Sequence, residues 1–134
     1  MIRILVDTMI FVSALINPHG LNAQLLNRLD EYELSLSKEI IEEIVDVLFR
    51  PEIQKKYDPS KIITVSDVLE IISDADLVTP SQRINLCRDP KDNKFIECAV
   101  EARVDYLVSG DKDLLDIKEY EGIEIVSIEK FIEI

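Results

Sequence analysis

The chain has 134 residues, 47% of them apolar, and its 27 acidic side chains outnumber 15 basic ones to give a formal net charge of −12. That length suits a single domain spanning 1–134 around one hydrophobic core, and no run approaches the roughly 18 uninterrupted apolar residues of a membrane span. With only Cys87, Cys98 and His19, far apart and outside zinc-like spacing, zinc sites and Cys/His nucleophilic chemistry are disfavoured.

Residues 2–6, Ile-Arg-Ile-Leu-Val, form a short apolar run that ends at Asp7, as a strand buried on both faces of a parallel sheet would. Residues 9–16 and 21–29 have helical spacing and are separated by the break Asn17-Pro18-His19-Gly20. A second strand is expected at 34–36, followed by a helix capped by Ser37 and running to Phe49, where Arg50-Pro51 ends or kinks it. Asp58-Pro59 has the signature of a helix start, with the helical region extending to about Asp74, and 77–79 is a candidate third strand. The polar stretch 80–91 leads into a helical pattern of Phe95, Ile96, Ala99 and Ala102, in which Cys98 reads as a small buried side chain. A fourth strand at 105–109, a short helix around Leu114-Leu115, a strand at 123–126 and a last helix capped by Ser127 complete the chain.

Strands alternating with helices predict an α/β sandwich with a mostly parallel central sheet, because parallel neighbours need crossover connections. Ligand sites in such sheets form beyond the carboxyl ends of the strands, and Asp7 and Asp111 both fall there.

Four acidic segments carry the chemistry. Leu5-Val6-Asp7-Thr8 brings a carboxylate to a strand end beside a hydroxyl; the plain alternative is a cap for the next helix. Val108-Ser109-Gly110-Asp111-Lys112-Asp113 repeats the arrangement, with Asp113 the better cap candidate because it precedes Leu114-Leu115. Asp89-Pro90-Lys91-Asp92 places Asp92 at a helix start, where an anion is favoured and capping is again the alternative. On the helix from Ser37, an apolar arc of Ile40, Ile41, Ile44, Val47 and Leu48 leaves Glu43 nearer its edge than Glu39, Glu42 or Asp46.

Separations of 36, 49 and 19 residues mean that Asp7, Glu43, Asp92 and Asp111 can meet only through tertiary folding. Gathered together they would repel one another, and a hard divalent cation that prefers carboxylate oxygens would relieve this. Such a site suits phosphodiester hydrolysis without a nucleophilic side chain. The net charge of −12 pulls the other way, since nucleic acid is itself polyanionic. Either the protein does not touch nucleic acid, or bound cations reverse the local potential, and a basic partner protein is a further use for the acidic surface.

Val6-Asp7-Thr8, the Glu43 helix ending Leu48-Phe49-Arg50-Pro51, Arg88-Asp89-Pro90-Lys91-Asp92-Asn93 and the run 105–115 together resemble the PIN domain. The likeness is nearest to the VapC-like branch, the toxin components of bacterial and archaeal toxin–antitoxin systems. The resemblance implies a three-layer α/β/α fold and a Mg²⁺- or Mn²⁺-dependent endoribonuclease. It assigns Asp7, Glu43, Asp92 and Asp111 as the metal-holding catalytic acids, Asp113 as an occasional fifth, and Thr8 and Ser109 as supporting hydroxyls. An RNA substrate, an antitoxin with a basic or hydrophobic segment, a homodimer and a cytoplasmic setting without membrane contact are further expectations. Met9 departs from the family, which usually has Asn there, and loss of such outer support weakens metal affinity or activity by about 10–100-fold. Lys91, Lys94 and Arg50, with Lys55 and Lys56, are the basic side chains placed to meet RNA. Two other readings compete: a catalytically weak or inactive PIN-like binding or regulatory module, and a metal-dependent phosphatase. The dehalogenase type of phosphatase needs a second Asp where Met9 stands.

Overall fold

The computed structural model describes residues 1–57 and 63–134. Six strands, β1 (Arg3–Val6), β2 (Glu33–Ser37), β3 (Asp76–Val78), β4 (Tyr106–Val108), β5 (Glu119–Tyr120) and β6 (Ile123–Val126), form one sheet in the order β3-β2-β1-β4-β6-β5. Every pairing is parallel except the β5–β6 hairpin. Helices flank it: α1 (Thr8–Ile16), α2 (Leu21–Leu26), α3 (Lys38–Leu48), α4 (Pro51–Lys56), α5 (Val65–Asp74), α6 (Asn93–Ala102), α7 (Lys112–Leu115) and α8 (Ile128–Ile132). The three-layer α/β/α architecture with a mostly parallel sheet is therefore the one the sequence predicts. Among the described residues no helix is long and apolar enough to cross a membrane.

The central strands β1 and β4 are buried on both faces. Ile4, Leu5, Val6 and Leu107, Val108 have no exposed surface, so apolar residues occupy successive positions instead of alternating. Helix α3 shows the complementary pattern, with Ile40, Ile44, Val47 and Leu48 buried at helical spacing and Ile41 half-buried. Its cap is local, as Ser37 accepts the N–H of Ile40 at 3.3 Å, and α8 starts the same way on Ser127. Helix α8 then seats Phe131 between Tyr32 and Tyr106, with ring centroids 5.1 and 5.6 Å away. Cys98 is fully buried, and burial pushes its thiol up to about 12, away from nucleophilic chemistry.

The helix start expected at Asp58-Pro59 lies outside the described residues; within them, α5 begins on a reciprocal cap between Thr64 and Asp67. At two other elements the structure departs from the sequence reading. Arg50-Pro51 ends α3 but also opens the separate helix α4, because proline is well accommodated in a first helical turn. Strand β5 escapes the apolar pattern; it pairs with β6 through a two-residue turn in which Glu121 and Gly122 both have positive φ, 50° and 82°.

Between β3 and α6 the only regular structure among the described residues is a 3-10 turn at Pro90–Asp92, yet the backbone before it is tied down. Ser81, Ile84, Leu86 and Cys87 donate their N–H groups to side chains of α6, namely Glu101, Glu97 and, for the last two, Asn93. Those bonds fix the approach to Asp92.

Candidate active site

Strand register builds the first half of the site. Val6 lies opposite Val108, and the Asp7 N–H continues the ladder onto the Val108 carbonyl at 3.1 Å. Asp7 and Ser109 therefore leave the sheet side by side, as the strand-end argument requires. The Ser109 hydroxyl donates to Asp7 Oδ2 and accepts the Asp111 N–H at 2.9 Å, linking the two acids through one fully buried oxygen. Asp7 Oδ1 also accepts the Met9 N–H at 2.9 Å, so this carboxylate caps α1 while facing the site. Burial raises the Asp7 pKa, and the bonds from Ser109 and the N–H groups of Met9, Ile10 and Gly110 partly offset that.

Asp111, not Asp113, caps α7: its Oδ1 accepts the Asp113 N–H at 2.9 Å. The chain turns immediately after Ser109, which puts Asp111 in the cap position and Asp113 in the first turn. Arg88 approaches Asp113 at 3.7 Å from a neighbouring hollow.

Helices supply the second half. Asp92 is the residue before α6, but its side chain makes no cap hydrogen bond. The carboxylate instead meets Asp111. Desolvation, the hydrogen bond with Asp111 and repulsion from Asp111 and Asp89 push the Asp92 pKa up to about 7, with Lys94 acting in the opposite direction. Asp92, Asp111 and Asp113 each offer an oxygen, all within 4.8 Å of one another. From α3, Glu43 reaches over the core edge and accepts the Thr8 hydroxyl at 2.5 Å on Oε1. Its Oε2 lies 2.5 Å from Lys94 Nζ.

One open cavity of about 580 Å³ is lined by Asp7, Thr8, Glu43, Asp92 and Asp111. Phe95, Ile10, Leu114 and Ile128 give it an apolar wall, and the Met9 side chain, 57% exposed, stands where a polar amide would be usual in the resembled family. Asn22 also lines the cavity, its side-chain oxygen buried without a hydrogen-bond partner among the described residues. The donor set is hard oxygen throughout, and three carboxylates within reach of one another fit a divalent cation.

The basic residues do not converge in the same way. Arg50 is exposed and paired with Asp46 at 2.9 Å, while Lys91, Lys55 and Lys56 are exposed on the surface. Lys94, one of the cations expected to meet RNA, is turned inward and only 7% exposed. Its i+3 and i+4 neighbours on α6 give no hint of this, because its partner lies on α3. Asn93, whose oxygen receives two loop N–H groups, was likewise not singled out from sequence.

The PIN domain family model matches residues 3–113, which includes all the acids described above. The chain belongs to the PIN domain family. PIN domains are in general nucleases. This PIN domain is 32% identical to the uncharacterized protein MJ1680 of Methanocaldococcus jannaschii over 124 residues, covering 88% of this chain and 76% of that protein. Its fold is shared with a chain of VapBC2 from Rickettsia felis, crystallised bound to a DNA fragment from the promoter, at a TM-score of 0.58 and 14% identity over 94% of this chain and 98% of that one. PAE2754 from Pyrobaculum aerophilum shares it too, at a TM-score of 0.57 and 14% identity over 98% and 88% of the two chains. At that identity the two structures speak to the fold.

Proposed function

We propose that this PIN domain is a metal-dependent endoribonuclease and the toxin of a toxin–antitoxin pair, with 1–134 acting as one nuclease domain. The observation that carries the reading is the shared cavity: four acids, separated by up to 49 residues between neighbours in sequence, line one open space at the strand ends. A purely structural role for Asp92 would have used its carboxylate as a cap, and it does not.

Asp92, Asp111 and Asp113 would hold a Mg²⁺ or Mn²⁺ ion, with Asp7 beside them. Such an ion supplies a bound water of lowered pKa and stabilises charge on the leaving oxygen of a phosphodiester. The chain's own groups prepare the place. Ser109 keeps Asp7 and Asp111 at a fixed separation, and Thr8 holds Glu43 toward the cavity. The apolar wall of Phe95, Leu114 and Ile128 would give a nucleobase a surface away from water, and the exposed Lys91 and Arg50, which do not line the cavity, would meet the RNA backbone beyond it. An antitoxin is supported by the VapBC2 likeness and by the net charge of −12, which favours a basic partner over a naked polyanion; a homodimer accompanies that assignment.

The test is cleavage of single-stranded and hairpin RNA by the purified chain in Mn²⁺ or Mg²⁺ and in EDTA. Cleavage is expected with either metal and none in EDTA. Asp111→Asn and Asp7→Asn should each reduce it beyond the roughly 10–100-fold typical of an outer-shell loss. Undiminished cleavage by both variants, or none by the wild type with either metal, would overturn the reading; in the latter case, retained antitoxin binding would favour a binding module.

A further inference from the structure

Lys94 is an unusual lysine. Its side chain is 7% exposed, its ammonium lies 2.5 Å from Glu43 Oε2 and donates to the Lys91 carbonyl at 2.5 Å, and it sits 5.0 Å from the centre of the Phe95 ring. Burying an ammonium is unfavourable unless such partners offset the lost hydration, so a lysine serving only solubility would not be here. It does not line the active-site cavity; it lines a separate hollow with Glu97 and Asn93, and its ammonium meets Glu43, which does line the cavity. Both oxygens of Glu43 are thereby engaged, Oε1 by the Thr8 hydroxyl and Oε2 by Lys94. By contrast, Asp92 and Asp111 have no basic side chain within ion-pair distance among the described residues, Lys94 acts on Asp92 only from farther away, and Asp113 meets only the exposed Arg88, at 3.7 Å.

Resting on the nuclease reading above, we infer that Lys94 is a positioning residue and the built-in cation of the site: it neutralises Glu43, so the site takes one divalent ion, at the Asp92–Asp111–Asp113 end. Two-metal sites place their ions about 3.5–4 Å apart and need carboxylates free at both ends. Here the Glu43 end is already supplied with positive charge by the chain itself. Glu43 then shapes the cavity through Thr8 and Lys94 and does not ligate an ion directly.

The experiment is calorimetric titration of Mn²⁺ into the metal-free full-length chain and three variants, Lys94→Met, Glu43→Gln and the double variant. The wild type is expected to bind one ion per chain and Lys94→Met two. Glu43→Gln, which leaves an unbalanced ammonium near the ion, should weaken Mn²⁺ about 10-fold, and the double variant should return to one ion at near wild-type affinity. A lysine that merely ties α3 to α6 would lower thermal stability and leave all stoichiometries at one, which overturns the proposal while the nuclease reading stands. Two ions on the wild type, or a double variant as weak as Glu43→Gln, would overturn it too, and the affinity comparison decides even if Lys94→Met does not fold. No Mn²⁺ binding by the wild type would remove the metal reading and this inference with it.

Discussion

The two halves of this site are held by different physics. On the sheet side, Asp7 and Asp111 follow strands whose register pairs Val6 with Val108, and one buried serine hydroxyl joins them. On the helix side, Glu43 arrives from α3 and Asp92 from the residue before α6, both partly exposed, and they are held by side-chain contacts with Thr8, Lys94 and Asp111. A strand register cannot shift gradually, since one step turns every side chain to the other face. Helix-borne acids depend on packing and charge balance, which can be tuned by single substitutions. The sheet side should therefore respond to substitution in stability and activity together, and the helix side in charge-dependent properties.

Three measurements sharpen that contrast. The largest effect is expected from Leu107→Ala, which empties space beside Leu5 in the fully buried centre of the sheet. It should cost about 2–5 kcal/mol by urea denaturation and lower activity with it. Stability reduced by less than 1 kcal/mol would mean that the strand pair does not anchor the site.

Next is Ser109→Ala. Removing the hydroxyl strips Asp7 of its Oδ2 donor and Asp111 of its N–H acceptor, so RNA cleavage should fall roughly 10–100-fold, with stability lower by about 1–3 kcal/mol. Cleavage reduced without any loss of stability would show that the serine serves the reaction alone.

The smallest effect concerns Asp92, on the helix side. Its pKa is about 7 in the fold against an ordinary 3.8, so the folded chain holds a proton that the unfolded chain has released between those values. Its contribution to metal-free stability is thus greatest below about pH 4, declines as pH rises toward 7, and is level above. Solvent screening of this partly exposed group limits the decline to about 1 kcal/mol. Melting curves in EDTA should show Asp92→Asn more stable than wild type at pH 8 and equal to it near pH 4. Equal stabilities at both pH values would remove the repulsion between Asp92 and Asp111 from the account.

Much of the fold was legible because its signals are local. Short, mostly apolar segments marked β1 and β6, helical spacing marked α3, and Ser37 and Ser127 announced the starts of α3 and α8 by residue type alone. Strand β5 was not legible, since Glu119-Tyr120 has no apolar alternation and owes its pairing to the positive-φ turn at Glu121-Gly122. The choice between Asp111 and Asp113 as cap depended on where the chain turns after β4, a matter of one or two residues that residue type does not resolve.

The sequence by itself determined which acids stood at strand ends, at a helix start and at the edge of an apolar arc, because each of those placements follows from the few residues around it. Only the tertiary structure decided that they share a cavity, that Asp92 keeps its carboxylate free of capping, and that Lys94 turns inward to Glu43, 51 positions away in the chain. Periodicity reports which face of an element is apolar. What a charged side chain meets on that face depends on the element packed against it, and that is set by sheet order and helix docking.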